Sequence, residues 1–236
     1  MTDSEQSERQ GQRLLTAVER LVDDCDNLIA QVEALRAERF SSADELDESH
    51  LIPLASRIIS GFSNKSALSG AVTALPGLFP GPGTAVALVG GSLADMTLML
   101  KHEVEMALSL TYLYGHDIRD DRERWLAYVL ATVSTYEADS GRNYFVDLAA
   151  VQLEAMRMYT PRQLTKFVAT AMGRYALLTA SRNAFKAIPF VGIAVGASAN
   201  KLLTNAVGWR CVDALSRRRA TSMENEEDTV EAKLSQ

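Results

Sequence analysis

Ser66-Ala-Leu-Ser-Gly-Ala-Val-Thr-Ala-Leu-Pro-Gly-Leu-Phe-Pro-Gly-Pro-Gly-Thr-Ala-Val-Ala-Leu-Val-Gly-Gly-Ser-Leu-Ala94 runs 29 residues without a charged side chain. Its middle, Leu75 to Gly83, cannot stay helical, because Pro76, Pro80 and Pro82 each remove a backbone donor and crowd the preceding turn. The stretch therefore divides into a short apolar arm and a long helix, Thr84 to Tyr114, which Gly115 closes where a left-handed cap is cheapest. Leu88, Met96, Met99, Leu100, Val104, Ala107, Leu110 and Tyr114 follow helical spacing along it. Gly90 and Gly91 permit a close neighbour.

Downstream, the acids of 117–121 start a helix over Arg122 to Tyr136, and Ser140 to Met158 reads as another amphipathic helix. Thr160-Pro-Arg-Gln163 is a start signal, with Thr as N-cap, Pro at the first helical position and Gln three residues after the cap. Ile188-Pro189 ends the helix it opens. A second small-residue apolar run, Phe190 to Asn200, leads into a last helix ending at Arg217-Arg218-Arg219. No period-two pattern occurs, so the fold is all-α, a multi-helix bundle with two Gly/Pro-marked apolar segments.

Upstream, Leu14, Val18, Leu21, Cys25, Leu28, Val32 and Leu35 step alternately by four and three, placing an apolar seam along one continuous heptad-patterned helix. Leu15, Val22 and Ile29 widen the stripe. The seam can fold back on its own domain or pair with a second copy, which makes these residues the candidates for self-association. The organisation follows: an N-terminal arm and acidic linker over 1–48, a helical core over 49–219, and an acidic tail over 220–236 expected to be disordered.

The formal charge of −6 conceals an asymmetry. Residues 1–48 carry −8 and 220–236 carry −4, whereas 142–219 carry +9. Such a basic lobe can meet anionic headgroups, nucleic acid or the chain's own acidic arm. Nucleic acid is not expected, since no RNP-like aromatics, zinc knuckle or helix-turn-helix accompanies the charge. Cys25 and Cys211, both in helical patterns, suggest neither a disulfide framework nor a metal site, and fit a reducing compartment. No export signal is read at the N-terminus.

Leu75-Pro76, the glycines at 81 and 83, Asp95, Tyr114-Gly-His-Asp117, Ile188-Pro-Phe-Val-Gly192, Gly196, Asn200 and Gly208 together resemble the EcsC protein family, over about residues 50–219. The resemblance implies a bacterial-type helical domain, in a family named for a protein encoded beside an ABC transporter and regarded as membrane-associated, with no agreed enzymatic activity. The heptad arm at 14–35 and the acidic tail lie outside the resemblance.

Asp95 interrupts an otherwise uncharged run from Thr84 to Leu100 and needs a partner or water, so it is expected to be a buried structural carboxylate, with Asn200 a possible polar partner. His102 follows two turns later on the same face, and His116 lies past the helix end. These three could be imagined as metal ligands, but no HExxH, Glu-x-x-His pair or Cys/His cluster supports a metal. The glycines form no phosphate cradle, and Ser92 and Ser198 lack a nucleophile elbow. No catalytic residue, metal or cofactor is therefore assigned.

The arm from Ser66 to Leu75 is too short to span a bilayer, which takes about 20 residues. A span after the break would have to include Asp95, so a shallow or re-entrant hairpin tipped by Leu78 and Phe79 is the expected membrane contact. Arg217, Arg218 and Arg219 are expected to add electrostatic attraction to an anionic surface. The function expected is a non-enzymatic, peripheral or monotopic adaptor at the inner face of the membrane, in the cytoplasm, with an unknown protein partner. The alternatives are a soluble metal-dependent hydrolase using Asp95 and His102, and a soluble scaffold in which both apolar segments are core.

Overall fold

The computed structural model describes residues 3–38, 48–74, 84–140, 156, 158–183 and 191–234. Among them are seven helices and no strand: α1 (Asp3–Leu21), α2 (Cys25–Ala37), α3 (Glu48–Ala74), α4 (Thr84–Leu113), α5 (Asp121–Ser140), α6 (Pro161–Asn183) and α7 (Val191–Leu234). The expected all-α bundle is what is found. The helix expected over Ser140 to Met158 falls mostly outside the described residues, as does the break at 75–83.

The caps explain the boundaries. After α4, the His116 amide donates to Thr111 O at 3.2 Å and the Gly115 amide to Tyr112 O at 2.9 Å, the paired bonds of a Schellman ending. Gly115 takes φ +92°, which a side chain would strain. Before α6, the Gln163 side chain accepts from the Thr160 amide at 2.8 Å, the return bond of a capping box.

The heptad stretch is not one helix. It breaks at residues 22–24, where the Asp24 carboxylate accepts from the Asn27 amide at 3.0 Å and so caps the start of α2. The neighbouring Asp23 amide is taken by Glu105 of α4 at 2.9 Å. Short acidic side chains offering the backbone an alternative partner override the apolar period here. Leu14, Val18, Leu28 and Val32 are buried within this chain, and Cys25 and Leu35 pack against its core half-buried. Leu21, expected in the seam, is 46% exposed at the end of α1. Four of the seven seam residues are thus buried by packing within the chain. At the other end, α7 continues as helix through Leu234 where disorder is expected; after Gly208 the sequence has neither Gly nor Pro to stop it.

α4 runs through the middle, packed on α3, α5 and α7, while α1 lies against α6. Gly11 permits that last contact: a Cβ there would lie 1.8 Å from Ala169 O and 2.8 Å from Gly173 N. Gly208 does the same for α7, where a Cβ would meet Ile59 at 2.6 Å and the Met106 sulfur at 3.0 Å. Ser66 meets Thr204, Ser69 meets His102, and Thr135 meets Glu103, whereas Glu123 meets Arg218. These pairings make α3 and α5 antiparallel to α4 and α7. The end of α3, the start of α4 and the start of α7 therefore share one end of the bundle.

Candidate functional site

Both Gly/Pro-marked segments attach at that shared end, and a buried polar layer crosses the bundle further along the same helices. Glu103 is fully buried on α4. Its carboxylate accepts from Thr135 Oγ1 of α5 at 2.5 Å and lies 3.5 Å from Thr204 Oγ1 of α7, which donates at 3.0 Å to Ser66 Oγ of α3. Four helices are thus cross-linked by oxygen atoms. A charged group in this setting is costly unless several partners meet it, so the layer fixes which helices face one another.

On the opposite side of α4, Glu105 receives Lys101 Nζ at 2.8 Å and the Asp23 amide at 2.9 Å. Burial pushes its carboxyl upward, but His102, Lys101 and the Asp23 amide together outweigh that and hold it below the ordinary carboxylate range. Glu137, also buried, is pushed up by desolvation, with Arg210 at 3.9 Å only partly opposing. Cys211, which faces Ser134, has its thiol pushed up to about 12 by burial and is a packing group.

Beside this layer, Leu68 of α3 and Leu202 of α7 are 68% and 72% exposed, each two residues from the Ser66–Thr204 contact. Lys65, stacked over the Phe62 ring at 4.5 Å, and Lys201 are exposed beside them. Trp209 follows Leu202 by two turns and is 40% exposed. None of these was singled out by sequence reasoning, since an apolar residue at a helical position reads as core until the neighbouring helix is known.

The expected site residues fare unequally. Leu78, Phe79 and the side chain of Asp95 lie outside the described residues. Asn200 is half-buried and has a polar interaction, so it is not the fully buried group expected. The triple arginine is a correction: Arg218 is 5% exposed and grips Glu123 with two bonds of 2.8 and 2.6 Å, closing α7 onto α5. Arg217 is exposed and pairs with Asp213 at 3.0 Å. Arg219 lines a cavity of about 350 Å³ with Glu33, Tyr112 and His116. Arg218 stands 14 residues beyond Thr204, about 21 Å along α7, so this cluster is remote from the apolar end.

His102 and His116 are likewise about 21 Å apart along α4 and beyond. Among the described residues no three His, Cys, Asp or Glu are grouped to hold a metal ion. His102 has a different setting, missed in the sequence: its Nε2 lies 3.0 Å from Ser69 Oγ, and its Nδ1 is 3.7 Å from Glu105. The order is that of a nucleophile, base and orienting carboxylate, but 3.7 Å is too long for the orienting bond. Ser69 Oγ also donates to Lys65 O at 3.0 Å, one turn back within α3. The arrangement ties α3 to α4.

No curated protein and no solved structure matches the chain. The model of the EcsC protein family matches residues 8–219, taking in the two N-terminal helices as well as the central bundle. With the match running over most of its length, the chain belongs to the EcsC protein family.

Proposed function

We propose that the protein is a non-enzymatic, peripheral or monotopic membrane-associated adaptor that docks by the end of the bundle carrying its two Gly/Pro-marked apolar segments, on the cytoplasmic face. The observation that supports this reading most is the attachment of both segments at one end, on helices that also expose Leu68 and Leu202 together with Lys65 and Lys201. Leucine gains by leaving water while lysine remains in the headgroup layer, which is the division of labour an interfacial surface needs. No described helix is long and apolar enough to cross a membrane, so the attachment is shallow. The arginines 217–219 are dropped from it, and Leu78 and Phe79 are kept as the leading residues.

Flotation with liposomes tests the reading. The protein should float with vesicles containing anionic lipid, and less with neutral ones or at high salt. Lys65→Gln with Lys201→Gln should weaken binding by about 2 kcal/mol, roughly 30-fold, because each lysine is worth about 1 kcal/mol at an anionic surface. Equal flotation of the double variant would remove this end of the molecule from the interface.

A further inference from the structure

Helices that expose cations usually carry the acids that meet them. Here α2, α4, α5 and α7 each set a cation against an acid of the same helix: Arg36 against Glu33, Lys101 against Glu105, Arg124 against Asp121 and Arg217 against Asp213. Among the described helices, α6 alone contains no aspartate or glutamate, although it lies in the basic half of the chain. The helices packed on it are α1 and α5. They do not supply the missing acid: on α5, Glu137 is turned to Arg210, Glu123 to Arg218 and Asp121 to Arg124.

Arg162, Lys166 and Arg174 stand exposed along α6, and among the described residues none of their side chains has an ion pair or hydrogen bond. They occur at multiples of four and span about 18 Å of the helix. The hydroxyls beside them are committed to the helix itself, Thr165 to Pro161 O at 2.8 Å and Thr170 to Lys166 O at 2.9 Å. Arg162 and Lys166, one turn apart, repel each other, so the ridge is a cost to the free protein that a bound anionic surface removes. Just ahead of the helix, Met158 and Tyr159 are 89% and 47% exposed.

A bilayer suits this face poorly, because the described part of α6 exposes no large apolar side chain for an interface to take up. Nor does it expose an aromatic ring on which bases could stack along the row of cations. What matches a straight ridge of charge beside a small apolar step is another helix, acidic along one side and apolar at one end. We propose that Arg162, Lys166 and Arg174 dock an acidic helix of a partner protein, with carboxylates at four-residue spacing and an apolar end that covers Met158 and Tyr159. This names the protein-partner face of the adaptor and rests on the adaptor part of the reading above.

The probe is a short alanine-based helical peptide with a glutamate at every fourth residue and a leucine pair at one end, titrated into the full chain by calorimetry. A peptide of the same composition with its glutamates out of register is the control. Saturable binding of one peptide per chain, weakened by salt, is expected. Arg162→Gln, Lys166→Gln and Arg174→Gln together should weaken it about tenfold or more, and Met158→Ser several-fold. Arg9→Gln, Arg13→Gln and Arg20→Gln, which remove as many exposed cations from α1, should change it by less than about threefold. Each variant should keep the circular dichroism and melting point of the parent, and the α6 triple variant should float with anionic vesicles as the parent does. No saturable binding, equal binding of the out-of-register peptide, equal weakening by the two triple changes, or tighter binding of single-stranded DNA overturns the proposal. So does loss of flotation in the α6 triple variant, which would give this face to lipid. A parent chain that binds the peptide but does not float supports this face and defeats the membrane part of the reading.

Discussion

Three carboxylates of α4 and α5 carry different energetic signs. The folded-state pKa of Glu105 is depressed, so its contribution is present above the ordinary carboxylate value and is lost as pH falls through the depressed one. Glu105→Gln should therefore destabilise at neutral pH and flatten the acid side of the stability profile, read by denaturant midpoints across pH. Glu137 is raised, so its charged form is the unfavourable one, and Glu137→Gln should be neutral or mildly stabilising at pH 7 in the same titration. Removing Arg218 leaves Glu123, a largely buried carboxylate, without its bidentate partner. Arg218→Ala should cost about 3 kcal/mol, and a cost near that of an exposed ion pair would mean that the clamp is not what holds the end of α7. Of these groups, sequence alone exposed none. A glutamate in a helix reads as solvated until three other helices are placed around it, whereas Asp95 drew attention only because its neighbours are uncharged.

At the scale of helices, what was legible was punctuation. Thr160-Pro161-Arg162-Gln163 and Gly115 each carry their mechanism in the local sequence, and both ends form as expected. The break between α1 and α2 was hidden because the apolar period runs straight across it. Its cause is partly local, in Asp24 capping onto Asn27, and partly distant, in the hold of Glu105 on the Asp23 amide. Asp24→Ala should remove about 1 kcal/mol of capping and fray the start of α2 in hydrogen exchange. The α1–α6 crossing depends on the absence of a side chain at Gly11. Gly11→Leu should force the helices apart and expose amides in α1 to exchange, at a cost of a few kcal/mol; unchanged protection in α1 would contradict the close crossing.

For the whole molecule, class and family were readable, because helical periods, Gly/Pro breaks and absent alternation are local patterns that add up along a chain. Which end carries the apolar segments, and which basic residues stand near it, depended on helix direction. The triple arginine is the largest cluster of positive charge in the sequence, yet burial and pairing of Arg218 remove its centre from any surface role. Lys65 and Lys201, isolated in sequence, are the ones beside the apolar end. The central claim is that this end meets lipid, and a polarity-sensitive dye on residue 79 tests it most directly. In a Cys25→Ser, Cys211→Ala background, Phe79→Cys labelled with such a dye should shift to the blue on adding anionic vesicles, while a label at residue 225 should not. A label at 79 that is already in an apolar environment without lipid, or that does not respond while the protein floats, would contradict the account.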